Sequence, residues 1–124
     1  MENKKILIVE DDSILQKALQ EFLTGEGFEI FSALDGEEGI KMGKEKNPDL
    51  VLLDIILPRK DGYEVLKELK SDEKTKKIPV VLLTNLGSLN DVEKALEMGA
   101  TTYLIKADYK LEEVAKKIKE ILNI

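Results

Sequence analysis

Apolar residues recur along the chain in five short runs, most of them rich in the β-branched residues Ile and Val. The runs occupy positions 6–9, 28–33, 50–53, 80–83 and 103–105. Such runs, separated by longer amphipathic stretches, predict five β-strands. The middle runs are apolar throughout, which is typical of strands buried on both faces of a sheet. The second run contains Glu29 and Ser32 and alternates more, which indicates an edge strand.

The stretches between the runs predict five helices, because their apolar residues recur with a period near 3.6. We expect Gly25 or Gly27 to end the first helix, the third to begin near Gly62, and Gly99 to end the fourth. The predicted core-facing residues are Ile14, Leu15, Ala18, Leu19, Phe22 and Leu23 in the first helix, Val65, Leu66 and Leu69 in the third, Val92, Ala95 and Leu96 in the fourth, and Leu111, Val114, Ala115, Ile118 and Leu122 in the fifth.

Polar residues indicate where several of these helices begin. Asp35 is placed to cap the second helix, Ser88 and Asp91 form a capping box for the fourth, and Asp108 is placed to cap the fifth. Five strands that alternate with five helices predict one α/β domain over residues 1–124, in which helices cover both faces of a mostly parallel sheet.

Composition narrows the class of protein. With 124 residues, 43% of them apolar, the chain can form one proper core. No apolar run approaches the ~20 residues of a membrane span, and the run that begins at Ile6 is too short for a signal peptide. We therefore expect a soluble cytoplasmic protein. The net charge of −6, with acids interleaved among the lysine clusters, argues against direct nucleic-acid binding.

The chain contains no cysteine and no histidine. Disulfides, thiolate ligands, cysteine nucleophiles, Ser-His catalysis and imidazole ligands are therefore excluded. Any bound metal must be held by oxygen, which favours Mg²⁺, Ca²⁺ or Mn²⁺.

Ionisable and hydroxyl residues follow four of the five predicted strands. In chain order they are Glu10, Asp11 and Asp12, then Asp54, Thr84 and Lys106. Because open α/β sheets bind ligands at the carboxyl ends of their strands, we expect these side chains to meet at one edge. Converging carboxylates repel one another, and a hard divalent cation such as Mg²⁺ relieves that repulsion.

The same groups predict phosphoryl chemistry. Asp54 is ionised at neutral pH and can act as a nucleophile without a general base, while Lys106 and Thr84 offer a charge and a hydroxyl to a phosphate. Each residue also has a plainer interpretation on its own. Asp11 or Asp12 could cap the first helix, Thr84 could end a strand, and Lys106 could be solvated. Asp54 is harder to explain in this way, because a carboxylate after a buried strand is costly to desolvate.

Four sequence motifs follow one another along the chain. They are Ile8-Val9-Glu10-Asp11-Asp12, the segment from Asp54 to Gly62, Leu83-Thr84, and Gly99-Ala100 before Tyr103-Leu104-Ile105-Lys106. The separations from Asp11 to Asp54, from Asp54 to Thr84 and from Thr84 to Lys106 are 43, 30 and 22 residues. With these motifs and spacings, the chain resembles the receiver domain of bacterial two-component response regulators over its whole length. The resemblance implies a flavodoxin-like, doubly wound (βα)5 three-layer sandwich with strand order 2-1-3-4-5, similar to single-domain chemotaxis regulators.

The resemblance also implies roles for the acidic residues. Asp54 is the expected phosphoacceptor, and it receives the phosphoryl group from the phosphohistidine of a sensor histidine kinase or a phosphotransfer protein. Mg²⁺ is the expected cofactor. Asp11 binds it directly, Glu10 acts through water, and Asp54 and the backbone carbonyl of Ile56 complete the set. Asp12 is expected to cap the first helix.

The remaining roles concern signalling. Thr84 and Lys106 are expected to contact the phosphoryl group, and Tyr103 is the expected aromatic switch. The output surface is formed by the fourth helix, fifth strand and fifth helix, which would bind a downstream protein or form a phosphorylation-dependent dimer. Such a protein catalyses only its own phosphorylation and slow dephosphorylation, and it binds neither nucleic acid directly nor membrane.

The chain departs from the family pattern at a few positions. Ala107 follows Lys106 where proline is usual, Asn85 is bulkier than the usual small residue, and Ile56 and Leu86 are apolar at rim positions that are often polar. Apolar residues at 56 and 86 cannot orient a hydrolytic water, so we expect a phosphoryl group on Asp54 to decay slowly.

A hydrolase, a flavin-binding module and a receiver that only docks partners are the alternative functions. A hydrolase of the haloacid-dehalogenase kind needs its nucleophile after the first strand in an Asp-x-Asp pattern, which Glu10-Asp11-Asp12-Ser13 does not match. A flavodoxin-like flavin module needs a hydroxyl- and glycine-rich phosphate loop at the same place. A receiver that only docks partners and is never phosphorylated is the third alternative.

Overall fold

Five strands and five helices alternate along the described part of the chain. The computed structural model describes residues 3–55, 57, 61–84, 89–106 and 110–124, with only the backbone at positions 89 and 91. The elements are β1 Lys5–Val9, α1 Ser13–Gly25, β2 Glu29–Ala33, α2 Gly36–Lys46, β3 Leu50–Asp54, α3 Gly62–Ser71, β4 Val80–Thr84, α4 Leu89–Glu97, β5 Thr102–Ile105 and α5 Leu111–Leu122.

All four strand pairs are parallel, and the strand order is β2-β1-β3-β4-β5. The predicted α/β architecture and strand order are therefore confirmed, as is the position of β2 at an edge. Every residue of β3 and β4 is buried, as their uninterrupted apolar sequences predicted. The carboxyl ends of β1, β3, β4 and β5 lie side by side at one edge of the sheet.

The sheet separates two apolar layers. Alternate strand residues, among them Val9, Leu53 and Leu82, pack with side chains of α2, α3 and α4. The other set, among them Ile8 and Leu52, packs with side chains of α1 and α5. Each strand therefore contributes side chains to both layers, because successive residues of a strand point to opposite faces of the sheet. No helix in the described part of the chain has the length and apolar character needed to cross a membrane.

Two predicted core residues are exposed instead. Ile14 is 82% exposed, because the buried line of α1 runs through Gln16, Leu19 and Leu23, and Ile14 lies on the far side of the helix from Gln16. Leu96 is 37% exposed, because α4 buries the face that carries Val92 and Ala95 and residue 96 lies beside that face.

Aspartates begin three of the helices. Asp12 Oδ1 accepts hydrogen bonds from the N–H groups of Ile14 and Leu15, Asp35 Oδ1 from that of Glu38, and Asp61 Oδ1 from that of Glu64. The caps by Asp12 and Asp35 were predicted. Helices α1 and α4 are followed by the positive-φ residues Gly27 and Gly99, close to their predicted ends.

The residue predicted to cap α5, Asp108, lies outside the described residues. Helix α5 begins at Leu111, and its N-cap position is Lys110, which makes no side-chain hydrogen bond to the helix. The N-cap position thus comes two residues later than predicted. Glu112 and Glu113 in the first turn provide the favourable negative charge instead. The predicted cap residue of α4, Ser88, lies outside the described residues.

Gly62 lets α3 begin directly against the end of β3. Its N–H donates a hydrogen bond of 2.6 Å to the Ile55 carbonyl oxygen. A Cβ at this position would lie 2.5 Å from the Asp54 carbonyl oxygen and 2.5 Å from Ile55 Cα. Both of those atoms are backbone, so they cannot move aside without moving the end of the strand.

We predict that Gly62→Ala destabilises the fold by about 2–3 kcal/mol, because the new methyl group overpacks against backbone. Gly25→Ala is the matched control, since a Cβ there meets nothing within 4 Å. It should instead add up to roughly 1 kcal/mol, because alanine is the better helix former. Urea unfolding of the two variants measures both changes. A Gly62→Ala variant as stable as the wild type would contradict the close approach.

Candidate functional site

The carboxyl ends of β1 and β3 bring two acidic side chains together. Glu10 directly follows β1, and Asp54 is the last residue of β3. Because Val9 pairs with Leu53, these two residues lie at the same level of adjacent strands. Glu10 has no exposed surface, and Asp54 is 5% exposed. Neighbouring parallel strands lie about 4.8 Å apart, so two carboxylates at this level are held close by the sheet itself.

Lys106 reaches both of these carboxylates from the end of β5. Its Nζ lies 2.8 Å from Asp54 Oδ2 and 2.7 Å from Glu10 Oε1. Two and three strand positions separate β5 from β3 and β1, so the full length of the lysine side chain is needed. The Lys106 N–H donates a 2.7 Å hydrogen bond to the Thr84 carbonyl oxygen, which ties the start of this side chain to β4.

Glu10 is held at both its backbone and its side chain. Its N–H donates to the Ala33 carbonyl oxygen at 3.0 Å, and its Oε2 accepts from the Asp12 N–H at 3.0 Å. Burial raises the pKa of Glu10 to about 7, and the nearby Asp54 adds to that increase, although hydrogen bonds from Lys106 and Asp12 oppose it. Without a bound metal, the Glu10 carboxyl therefore titrates near neutral pH.

The pKa of the Lys106 amine is raised above its usual value. Burial lowers it, but hydrogen bonds to Asp54 and Glu10 and their negative charges more than offset the burial. Lys106 is therefore a cation throughout the physiological range. Lys106, predicted from the sequence as a phosphate ligand at this edge, thus already pairs with Glu10 and Asp54.

Three acids at this edge can hold a metal ion. One carboxylate oxygen from each of Glu10, Asp11 and Asp54 lies within 4.8 Å of the other two. Glu10 and Asp54 are buried and Asp11 is exposed, so the cluster has one side toward solvent. All three donors are hard oxygen ligands of the kind Mg²⁺ prefers, and the set therefore fits Mg²⁺. The fourth predicted ligand, the Ile56 carbonyl, lies outside the described residues, as do Asn85, Leu86 and the Lys106–Ala107 bond.

Thr84 and Tyr103 belong to the opposite layer of the sheet. Thr84, 4% exposed, ends β4 two residues after Leu82, which packs with α3 and α4. Tyr103 pairs with Leu82 and is half-buried against the same apolar layer. Thr84 and Tyr103 thus lie on the face of the sheet that α3 and α4 cover. Glu10 and Asp54 lie two positions after Ile8 and Leu52, so the alternation of strand residues places them on the face that α1 and α5 cover. The Asp12 side chain caps α1, and the Asp12 N–H donates to Glu10 Oε2.

One polar residue near the site was not predicted from the sequence. Gln16 is 4% exposed, and its Nε2 lies within hydrogen-bond distance of three backbone carbonyl oxygens at the ends of β1 and β2. A glutamine three and seven positions before the core residues Leu19 and Leu23 is the signal that could have identified it, because that spacing places it on the buried face.

We predict that, without metal, the protein loses stability between about pH 4.5 and 7. Because the folded-state pKa of Glu10 lies above the ordinary 4.5, the folded protein binds more protons than the unfolded chain in this window. Unfolding free energy therefore falls as pH rises, by at most roughly 3 kcal/mol. Glu10→Gln removes the titrating group and should flatten this dependence.

The measurement is urea unfolding in a chelator at pH 5 and pH 8, for the wild type and Glu10→Gln. A wild type whose stability is equal at the two pH values would contradict the raised pKa of Glu10.

Comparison with known proteins agrees with this geometry. Residues 6–119 match the family model of the response regulator receiver domain. The DNA-binding dual master transcriptional regulator RpaA of Synechocystis is 35% identical over 119 residues, which cover 96% of this chain and 49% of RpaA. The chain thus spans about half the length of the curated relatives it matches.

Solved structures extend the comparison. A protein assigned as a response regulator from Chloroflexus aurantiacus is 32% identical, with a TM-score of 0.91 over 99% of this chain and 100% of that one. The receiver domain of the sensor histidine kinase PA1611 from Pseudomonas aeruginosa, solved with a magnesium ion in its active-site cleft, is 27% identical. Its TM-score is 0.87, over 96% of this chain and 97% of that one. The chain belongs to the response regulator receiver domain family of two-component signalling.

Proposed function

We propose that the chain accepts a phosphoryl group on Asp54, from the phosphohistidine of a sensor histidine kinase or a phosphotransfer protein, with Mg²⁺ bound. The observation that carries this proposal is the position of Asp54 itself. It is 5% exposed at the end of the central strand β3, it lies 2.8 Å from the Lys106 amine, and it is clustered with Glu10 and Asp11. A buried carboxylate in such a set suits a nucleophile better than a structural ion pair.

In the proposed reaction an Asp54 carboxylate oxygen attacks phosphorus, the P–O bond forms, and the P–N bond to the donor histidine breaks. The electron pair of that bond stays with the leaving imidazole, which takes a proton. The Lys106 amine then gives up part of its ion pair with Asp54 and binds a phosphoryl oxygen. Its positive charge thereby offsets the negative charge of the bound phosphoryl group. The Thr84 hydroxyl donates to another phosphoryl oxygen.

The proposed metal ligands are the Glu10, Asp11 and Asp54 carboxylates, with the Ile56 carbonyl as predicted from sequence. When bound, Mg²⁺ neutralises charge on the phosphoryl oxygens and orients them for in-line attack. The chain's own contribution is to hold the three acids within 4.8 Å of one another before any metal arrives. The positive charge of Lys106 offsets part of the electrostatic repulsion among these carboxylates.

The proposed output runs through the layer of α3 and α4. Thr84 ends β4 beside β5, and Tyr103 faces the same layer two positions earlier in the strand register. Movement of the Thr84 hydroxyl toward a phosphoryl group leaves room that the Tyr103 ring can enter. The surface formed by α4, β5 and α5 would then present a different shape to a downstream protein or to a second copy of the chain.

Turnover is proposed to be limited to the protein's own phosphorylation and slow dephosphorylation. A stand-alone, chemotaxis-like role is one form of this proposal, and the receiver half of a longer regulator such as RpaA is the other. The flavin-binding alternative is disfavoured because Glu10 and Asp54 occupy the edge where a flavin phosphate would have to bind.

We predict one phosphoryl group per chain when the protein is incubated with Mg²⁺ and a small phosphodonor, and none in Asp54→Asn. Asp12→Asn is the matched control, because asparagine keeps the cap of α1 and removes a neighbouring acid outside the cluster. It should label like the wild type. Intact-mass measurement, with and without chelator, reads out both variants. Label that persists in Asp54→Asn would show that another residue is the acceptor. Repeated turnover of the donor would favour a hydrolase.

We predict that Thr84→Ala accepts the phosphoryl group but fails to transmit it. With beryllofluoride and Mg²⁺, the wild type should show NMR shift changes at Tyr103 and along α4, and few in α2. Thr84→Ala should lose the distant changes, whereas Thr84→Ser, which keeps the hydroxyl, should retain them. Wild-type changes confined to the edge of the sheet would instead support a docking module without a switch.

A further inference from the structure

Gln16 is the one buried polar side chain at this edge of the sheet, among the described residues, that the proposed reaction does not use. It lies in the first turn and a half of α1, and only 4% of its surface is exposed. Its Nε2 lies 3.2 Å from the Ile8 carbonyl oxygen, 3.2 Å from that of Glu10 and 3.0 Å from that of Ala33. Two N–H bonds therefore serve three acceptors.

These acceptors are placed where β1 ends and the chain leaves the sheet. The Ala33 carbonyl also accepts the Glu10 N–H at 3.0 Å, so Gln16 and Glu10 share one oxygen at the end of β2. The Glu10 carbonyl belongs to the peptide group that joins Glu10 to Asp11. A donor on that carbonyl limits rotation of the whole peptide plane, because the plane is rigid.

The orientation of this peptide plane decides where the next residue points. The two dihedral angles beside it, ψ of Glu10 and φ of Asp11, set the direction of the Asp11 Cα–Cβ bond. Among the described residues, no hydrogen bond or ion pair holds the exposed Asp11 carboxylate itself. Its place in the cluster with Glu10 and Asp54 therefore depends on the backbone behind it.

We propose that Gln16 is a positioning residue for the metal site, which orients the Glu10–Asp11 peptide and thereby pre-forms the acidic pair for Mg²⁺. This inference rests on the proposed function. It assigns Gln16 no contact with the metal or the phosphoryl group. A side chain that orients ligands in this way typically changes metal affinity by 10- to 100-fold when it is removed.

The test is a titration of the full ¹⁵N-labelled chain with Mg²⁺ alone, followed at the backbone amides of Glu10 and Asp11. Gln16→Met has similar length and no donor, and we expect its Mg²⁺ dissociation constant to rise by about tenfold or more. The Asp11 amide should also shift in the metal-free variant.

Thr75→Val is the stability control. Thr75 has no exposed surface, and its Oγ1 donates a 2.6 Å hydrogen bond to the Leu69 carbonyl oxygen, between α3 and β4 and thus at the opposite edge of the sheet. Its loss should lower the melting temperature and leave the Mg²⁺ affinity unchanged. A merely structural Gln16 would behave in the same way as Thr75.

The outcomes separate the two proposals. If the wild type binds Mg²⁺ and Gln16→Met binds it equally well, the role of Gln16 is wrong and the proposed function stands. If the wild type does not bind Mg²⁺, both fail. Should Gln16→Met not fold, Gln16→Asn replaces it. This variant keeps the amide but is one methylene too short to reach all three carbonyls, so it should bind Mg²⁺ several-fold more weakly, and wild-type affinity would overturn the inference.

Discussion

The structure depends on one ion-pair arrangement, in which a single lysine from the edge strand β5 satisfies two carboxylates buried at the ends of β1 and β3. Glu10 and Asp54 follow or end paired strands, so the sheet forces them together, and burial makes their charge expensive. Lys106, at 2.7 and 2.8 Å from their oxygens, supplies the compensation. Removing one partner of such an arrangement leaves an uncompensated buried charge, which is why the lysine cannot be considered separately from the acids.

The strand order makes that arrangement possible. Because β4 lies between β3 and β5, the lysine must extend across the end of β4, and its backbone is tied there by the Thr84 carbonyl. Thr84 is thus next to the charged cluster while its own side chain belongs to the opposite layer, with Leu82 and Tyr103. The end of β4, which accepts the Lys106 N–H, therefore connects the acids to the face of the sheet that α3 and α4 cover. The chemistry and the proposed output share this one strand.

Much of this could be predicted from the sequence, for identifiable reasons. The uninterrupted apolar runs of β3 and β4 predicted buried central strands. The ionisable and hydroxyl residues at the carboxyl ends of the strands predicted the site. Ile14 was placed wrongly because it lies four positions before Ala18, and Leu96 because it lies four positions after Val92. Both spacings satisfy a helical pattern, although neither residue lies on the buried face of its helix. Asp108 satisfied a capping rule in a segment whose helix begins only at Leu111.

The remaining features depend on tertiary geometry. The double pairing of Lys106 involves residues 52 and 96 positions apart, and it follows from strand order and register rather than from any local pattern. The role of Gln16 similarly depends on three carbonyl groups that only the folded sheet brings together. Long side chains that bridge several strands are therefore the part of a site that sequence patterns describe least well.

Asp54 is the residue of this buried cluster that we propose for phosphoryl transfer. The most direct measurement traps the acyl phosphate by borohydride reduction, which converts a phosphorylated aspartate to homoserine, and then locates the modified residue by tandem mass spectrometry. If Asp54 is the acceptor, homoserine forms at position 54 alone, and only when Mg²⁺ and phosphodonor are both present. Homoserine at position 11 or 12, or unmodified peptide from protein that has consumed the donor, would contradict it.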